Sequence, residues 1–442
     1  MAIRVGMISL GCTKNLVDSE VMLGLLKANG FEITPDEKNA DILIINTCAF
    51  IESARQESLE TIIQATKTKG KHKKKVIVAG CLSQRYADNL KLYINGKVHA
   101  IIGTGDFQNI VEVCNSVLNE EKPLLRVSKE PSYLYNHSTP RLLTTPKHFA
   151  YLKIAEGCDN CCSYCVIPKI RGSYRSRMPE SIINEAEALA ESGVKELILI
   201  AQDTTYYGND IGEDITNLLK NLAKISGIKW IRILYTHPDH ITDDFIKLVA
   251  DEEKICKYMD IPFQHINDKI LKNMGRMTTK ERIYNLIEKI KILIPNVSLR
   301  TSLMVGFPGE TEEQFEELMQ FIKDAQFDHL GVFAYSAEEG TPAYDIEEQI
   351  PESIKNERLD VIAELHKNIA EKKRRDMIGK NKTVIIDYVD TEANSAIGRT
   401  EGQSPEIDDV VYVIDSNINV GEFVNVNILD IYETYDLIGK AL

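Results

Sequence analysis

The chain has 442 residues, 43% hydrophobic and 27% charged, with a formal net charge of −14. That is ordinary for a globular protein of about three domains at roughly 150 residues each, and its acidity argues against a general nucleic-acid binder. Nine cysteines in so long a chain do not make a disulfide scaffold, residues 1–10 do not resemble a signal peptide, and no apolar run approaches the roughly 20 residues that span a bilayer. A cytoplasmic, membrane-free setting with free thiols is expected.

The first region, to about residue 140, reads as an open parallel α/β domain. Apolar, β-branched runs at residues 4–10, 41–47 and 76–80 lead directly into Cys12, Cys48 and Cys81. Helical patterns lie between them at residues 16–29 and 52–66. Each run reads as a buried parallel strand, so each cysteine falls just past a carboxyl end, where open α/β sheets bind ligands. The spacing predicts that these three thiols converge and hold a metal cluster. Lys67-Thr68-Lys69-Gly70-Lys71-His72-Lys73-Lys74-Lys75 is read as a solvated basic loop, with RNA phosphate as its one functional alternative. Residues 118–146, with several prolines and weak periodicity, read as a linker or excursion.

From residue 149 strands and helices alternate six times. Strand-like runs fall at 149–155, 196–201, 229–235, 258–263, 297–305 and 329–335. Helical patterns fall at 180–192, 215–225, 242–251, 268–273, 280–293 and 311–324. Alternation of this kind predicts a partial (β/α)6 barrel, open on one side. Directly after the first of its strands comes Cys158-Asp159-Asn160-Cys161-Cys162-Ser163-Tyr164-Cys165. Cys158, Cys162 and Cys165 have the spacing C-x3-C-x2-C. A cubane cluster has four irons, usually held by four thiolates, so three thiolates leave one iron open to a substrate. Cys161 creates rival C-x2-C pairings. Cys114 and Cys256, in apolar or helical context, are expected in the core.

Residues 352–373 read as one amphipathic helix with a basic end, Lys372-Lys373-Arg374-Arg375, that suits the helix dipole. The last region, from about residue 379, is β-rich at 383–389, 410–414 and 423–431. It reads as a small antiparallel barrel of oligonucleotide-binding type. Four cations there face twelve anions, a net of −8. Such a barrel repels phosphate and attracts a basic protein.

The C-x3-C-x2-C loop at the head of a partial barrel resembles the radical S-adenosylmethionine (radical SAM) superfamily. Together the three blocks resemble its methylthiotransferases. Residues 1–140 correspond to their N-terminal domain, 145–376 to their radical SAM domain and 377–442 to their TRAM barrel. The stretches Leu10-Gly11-Cys12-Thr13-Lys14-Asn15-Leu16-Val17-Asp18-Ser19-Glu20, Ala201-Gln202-Asp203-Thr204-Thr205 and Val332-Phe333-Ala334-Tyr335-Ser336-Ala337-Glu338-Glu339-Gly340-Thr341-Pro342 are similar to the branch that modifies an aspartate of ribosomal protein S-twelve. Thr13 stands where that branch often has proline.

The resemblance implies two 4Fe-4S clusters and S-adenosylmethionine as cofactors. The cluster at Cys158, Cys162 and Cys165 would chelate S-adenosylmethionine through its open iron and cleave it reductively to a 5′-deoxyadenosyl radical. That radical would take a hydrogen from the aspartate β-carbon. The cluster at Cys12, Cys48 and Cys81 would supply sulfur, methylated by a second S-adenosylmethionine. Only the Cys158, Cys162, Cys165 trio reproduces the superfamily spacing, which leaves Cys161 a bystander. Candidate cofactor contacts are Gln202 and Asp203 after the second barrel strand, Gln264 after the fourth, Arg300 in the fifth, and Gly306 and Gly309 beyond it. Each is equally an ordinary strand-end residue, and His265 is equally a bonded core histidine. The implied partners are the ribosomal protein, free or on the small subunit, and an electron donor such as a flavodoxin or ferredoxin. The alternatives are the same chemistry on the tRNA adenosine beside the anticodon, favoured by the basic runs and opposed by the acidic barrel, and a non-catalytic iron–sulfur or zinc carrier.

Overall fold

The computed structural model describes residues 2–67, 74–93, 97–119, 123–414 and 418–442. The N-terminal sheet is parallel throughout, in the order β2-β1-β3-β4-β5-β6. Its strands are β1 (Arg4–Ser9), β2 (Glu32–Ile33), β3 (Ile42–Thr47), β4 (Lys75–Gly80), β5 (Ala100–Ile102) and β6 (Leu124–Arg126). Helices α1 (Thr13–Ala28), α2 (Glu52–Lys67), α3 (Cys81–Tyr93) and α4 (Ile110–Asn119) connect them. β3 is buried at every position, as a central strand covered on both faces must be. β6 corrects the linker reading of residues 118–146: three half-exposed residues are too few to show a periodicity.

The barrel strands are β7 (Phe149–Lys153), β10 (Glu196–Ile200), β11 (Trp230–Ile233), β12 (Tyr258–Asp260), β13 (Ser298–Val305) and β14 (His329–Ala334). Between β7 and β10 lies a short ribbon of β8 (Ala155–Glu156) and β9 (Arg175–Ser176). The six form two parallel sheets, β11-β10-β7 and β12-β13-β14, joined by a bridge between Ile231 and Ile255. Around them run α5 (Ile167–Arg171), α6 (Pro179–Glu191), α7 (Ile215–Ala223), α8 (Asp243–Asp251), α9 (Asp268–Asn273), α10 (Lys280–Leu293) and α11 (Glu312–Ala325). Asp214, Thr242, Asn267, Thr279 and Thr311 cap α7 to α11 by accepting first-turn N–H bonds. The apolar faces of these helices and of the strands make one continuous core.

Helix α12 (Glu352–Arg375) leads to a closed barrel of five strands: β15 (Asn381–Asp390), β16 (Ser395–Thr400), β17 (Val411–Ile414), β18 (Phe423–Tyr432) and β19 (Asp436–Ala441). It docks on the N-terminal rim of the central barrel through buried charges. Glu196, the first residue of β10, accepts from Arg232 at 2.8 Å and from Arg399 of β16 at 2.8 Å. Asp387 takes Arg399 and His148. Arg374 forms a two-point pair with Asp409. Asp408 takes the Tyr258 hydroxyl, Arg300 and His329.

Two expectations change as a result. Much of the terminal barrel's acidity is spent inward on the central barrel. The basic end of α12 is only partly free: Arg374 is buried and Lys373 pairs with Asp328, while Lys372 is exposed and Arg375 pairs with Glu371 at the surface. Most of the basic loop, residues 68–73, lies outside the described residues. No described helix is long and apolar enough to cross a membrane.

Candidate functional site

Cys12 is the N-cap residue of α1, Cys48 follows β3 and Cys81 opens α3, so all three stand at the carboxyl edge of the sheet. Gly11 makes the approach possible. Its φ is +84°, and a Cβ there would fall 2.6 Å from the Cys48 Cβ and 2.9 Å from its sulfur. Asn15, in the first turn of α1, donates to the carbonyls of Leu10 and Asn46 and so pins the turn to the strand ends.

Cys158, Cys162 and Cys165 lie on the loop between β8 and α5, at the C-terminal end of the barrel. The Cys158 N–H donates to the Gly172 carbonyl at 3.1 Å, and Cys165 to the Cys162 carbonyl at 3.1 Å. Asn160 donates to Asp203 at 2.9 Å, and Asp159 accepts from the Tyr174 N–H. Cys161 is exposed, and its thiol faces the Asp159 carbonyl.

One buried charge network joins the two sets. Arg171, at the end of α5, reaches Asp18 at 2.5 Å and Glu156 at 3.2 Å through Nη1, and Asn15 and the Cys81 sulfur through Nη2, the latter at 3.6 Å. Lys153 reaches Asp18 and Glu156 as well. Glu156, two residues before Cys158, also accepts from Gln202 at 2.7 Å. Burial would raise the Glu156 carboxyl, but Lys153 and Arg171 hold it well below the usual range. Burial pushes Cys81 and Cys165 up to about 12 and Cys158 to about 11, and raises Cys48. Arg171 opposes this at Cys81 and Arg276 opposes it at Cys165. Thiols held this way ionise when a metal supplies the positive charge.

The donor sets fit a cluster better than a single ion. Among the described residues, neither cysteine trio has all three sulfurs within 4.8 Å of one another. One tetrahedral zinc would draw its sulfurs to about 3.8 Å apart, from Zn–S bonds of about 2.3 Å. The wider spacing leaves room for a body of several atoms.

The candidate cofactor contacts divide. Gln202 touches Glu156, and its Oε1 is buried without a partner. Asp203 is fixed by Asn160, by His240 Nδ1 at 2.7 Å and by the Thr205 hydroxyl. Burial would raise Asp203, but the His240 hydrogen bond and charge lower it. Gln264 has φ +71° and exchanges backbone hydrogen bonds with β13. Gly306 and Gly309 are approached closely by the side chains of Lys355 and Glu348. Arg300 lies elsewhere. It sits near the start of β13, paired with Asp260 at 3.0 Å and with Asp408 of the terminal barrel. The strand pattern places a residue on a strand without saying which end faces the loop, and Arg300 serves docking. His265 is fully buried against Glu310 at 3.4 Å.

Glu156, Arg171, Arg276, His237 and His240 escaped the sequence reading. Arg276 approaches the Cys162 sulfur at 3.9 Å. Burial and Arg276 drive His237 down to about 3, and His237, His240 and Asp203 bring three ligand-capable atoms within 4.8 Å. The Asp203–His240 hydrogen bond occupies two of them. Glu156 and the two histidines carried a usable signal, as polar residues just past a predicted strand.

Models of three families match this chain: the radical SAM superfamily over residues 152–322, uncharacterized protein family UPF0004 over 4–103, and the TRAM domain over 378–442. Among curated proteins it is similar to the ribosomal protein uS12 methylthiotransferase RimO of Acetivibrio thermocellus, 47% identical over 99% of this chain and 98% of that one. RimO of Clostridioides difficile is 47% identical over 100% and 99%, and that of a Thermoanaerobacter species 48% over 99% of each. Among solved structures, the radical S-adenosylmethionine methyltransferase TsrM of Kitasatospora setae shares the fold, with a TM-score of 0.55 and 15% identity over 87% of this chain and 81% of that one.

Proposed function

This chain belongs to the family of the RimO ribosomal protein uS12 methylthiotransferases, and from that premise we propose that it replaces a C–H bond on the β-carbon of a uS12 aspartate with C–S–CH3. The observation that carries this reading is the pairing of two three-thiol sets across one buried charge network, with Arg171 touching Cys81 on one side and Glu156 on the other. Cys158, Cys162 and Cys165 would hold the 4Fe-4S cluster of the radical domain, and Cys12, Cys48 and Cys81 the auxiliary one. When bound, the first cluster supplies one-electron cleavage of S-adenosylmethionine and the second a site for sulfur.

The chain's own residues do the positioning. Asp203 fixes the cysteine loop through Asn160, and Gln202 is held by Glu156 with one buried oxygen left to accept a donor such as the methionine amine. Arg171 and Lys153 neutralise Asp18 and Glu156, which would otherwise oppose ionised thiols. The outward carboxylates of the terminal barrel, Asp390, Glu392, Asp430 and Glu433 among them, favour a basic protein over tRNA even after the inward ones are discounted.

The test is an anaerobic reaction of the iron- and sulfide-reconstituted protein with S-adenosylmethionine, a reductant, a uS12 loop peptide and unmodified tRNA in competition. Mass spectrometry reads the methylthio group. Its gain on the peptide aspartate is the expected result; gain on tRNA alone would move the activity to the tRNA branch.

A further inference from the structure

Lys14 is the second residue of α1, two positions beyond Cys12, and only 8% exposed. Its ammonium lies 3.2 Å from the centre of the Tyr235 ring. Among the described residues no carboxylate lies within 4.0 Å of it and no acceptor takes a hydrogen bond from it. The nearby cations Lys153 and Arg171 are by contrast each paired with both Asp18 and Glu156. The first turn of α1 holds no acidic residue, so the positive end of the helix adds to the charge.

Tyr235 shows where this charge stands. It follows β11, two residues before His237, at the mouth of the barrel where Asp203 and His240 hold the cysteine loop. Its φ is +61°, a left-handed conformation that costs a bulky residue on the order of 1 kcal/mol or more. The Asp260 carboxylate accepts its N–H at 2.9 Å, and its carbonyl accepts from Thr204 at 3.0 Å. The backbone that carries the ring is thereby fixed. A nearly buried cation held on an aromatic face, with no carboxylate partner among the described residues, is a site suited to one.

We propose that Lys14 is the counter-ion for the side-chain carboxylate of the target aspartate, an inference that rests on the reading above. The carbon to be attacked is bonded directly to that carboxyl carbon. A charge carried into a closed cleft needs an opposite charge waiting there, and one point contact next to the reacting carbon also orients it. Asparagine, uncharged at the same position, would leave the ammonium unmatched. Lys14 is thus a residue that sets specificity between aspartate and its amide.

The experiment measures binding of two uS12 loop peptides, one with the target aspartate and one with asparagine there, to the reconstituted full chain as wild type, Lys14→Met and Lys14→Arg. The wild type is expected to favour the aspartate peptide by roughly tenfold or more, as hydrogen bonds to charged groups allow. Lys14→Met should bring the ratio to about one, and Lys14→Arg should keep most of it. Equal binding of both peptides by the wild type overturns the inference, and does so even where the Met variant fails to load iron. So does a preference that survives in Lys14→Met. A weaker affinity for S-adenosylmethionine with the peptide preference intact would assign Lys14 to the methionine carboxylate and equally overturn it. Absence of a methylthio product on the aspartate peptide with wild-type enzyme is a separate result, and it counts against the proposed function.

Discussion

Arg171 Nη2 lies 3.6 Å from the Cys81 sulfur. Arg171 belongs to the radical domain and Cys81 to the N-terminal sheet, so one guanidinium makes the auxiliary thiol site depend on the barrel. Removing it leaves Asp18 and Glu156 with Lys153 alone and takes the nearest cation from Cys81. Arg171→Met is expected to lower iron from roughly eight to roughly four per chain, counting two cubanes. The loss of a buried charge partner should also cost about 3 kcal/mol of stability. Iron and sulfide analysis with chemical denaturation measures both.

The two neighbouring cysteines of the radical loop have opposite fates. Cys162→Ala should abolish methylthiolation and remove about half of the iron. Cys161→Ser should leave both within about twofold, because that side chain is exposed and, among the described residues, its thiol meets only the Asp159 carbonyl. Parallel product and iron assays on the two variants separate a C-x3-C-x2-C site from a C-x2-C one.

Asp203 supports the loop without touching a thiol. Asp203→Asn keeps the shape but loses the charge that binds His240 and one acceptor of Asn160. A fall of about tenfold in S-adenosylmethionine cleavage is expected with iron content retained, since a loop misplaced by about 1 Å can cost more than that. His240 is lowered by burial and raised further by Asp203, for a net rise; in the variant its protonation should move to lower pH.

The docking of the terminal barrel depends on pH with a definite sign. Burial would lower His329, but Asp408 and Asp409 raise it overall. Its contribution is complete below about 6.5, the unfolded value, and is lost as pH rises through the higher folded value. Burial would raise Asp409, but Arg374 and His329 depress it. Its contribution is present above about 3.9 and lost as pH falls through the lower folded value. Docking is therefore firmest between about pH 4 and 6.5 and weakens as pH rises beyond that window. The unfolding midpoint should drop more between pH 6 and 9 in wild type than in His329→Gln.

The architecture was legible because its elements carry strong local signals. β3 and β10 each carry four consecutive apolar residues, 42–45 and 197–200, and α7, α8 and α10 have a capping side chain directly before an amphipathic stretch. β16 and β19 were missed. Each carries an inward glycine, Gly398 or Gly439, where a Cβ would lie 2.3 Å from the neighbouring strand, and neither shows β-branched enrichment. At the site, the C-x3-C-x2-C spacing marks one loop, and three strand ends mark the other trio. Arg171 was invisible because its partners are 15, 90 and 153 residues away. Arg300 misled for the same reason: its partner Asp408 belongs to a separate fold.

The ion pairs at the rim also decide how the chain can be cut. Glu196, Arg232, Arg300 and Arg374 find counter-charges or hydrogen-bond partners in Arg399, Glu401, Asp408 and Asp409. A fragment ending after α12 would expose or strand several buried charges at once, at a few kcal/mol for each unmatched one, against a total domain stability of about 5–15 kcal/mol. The central barrel and the terminal barrel should therefore unfold in one transition, although their sequences read as two modules.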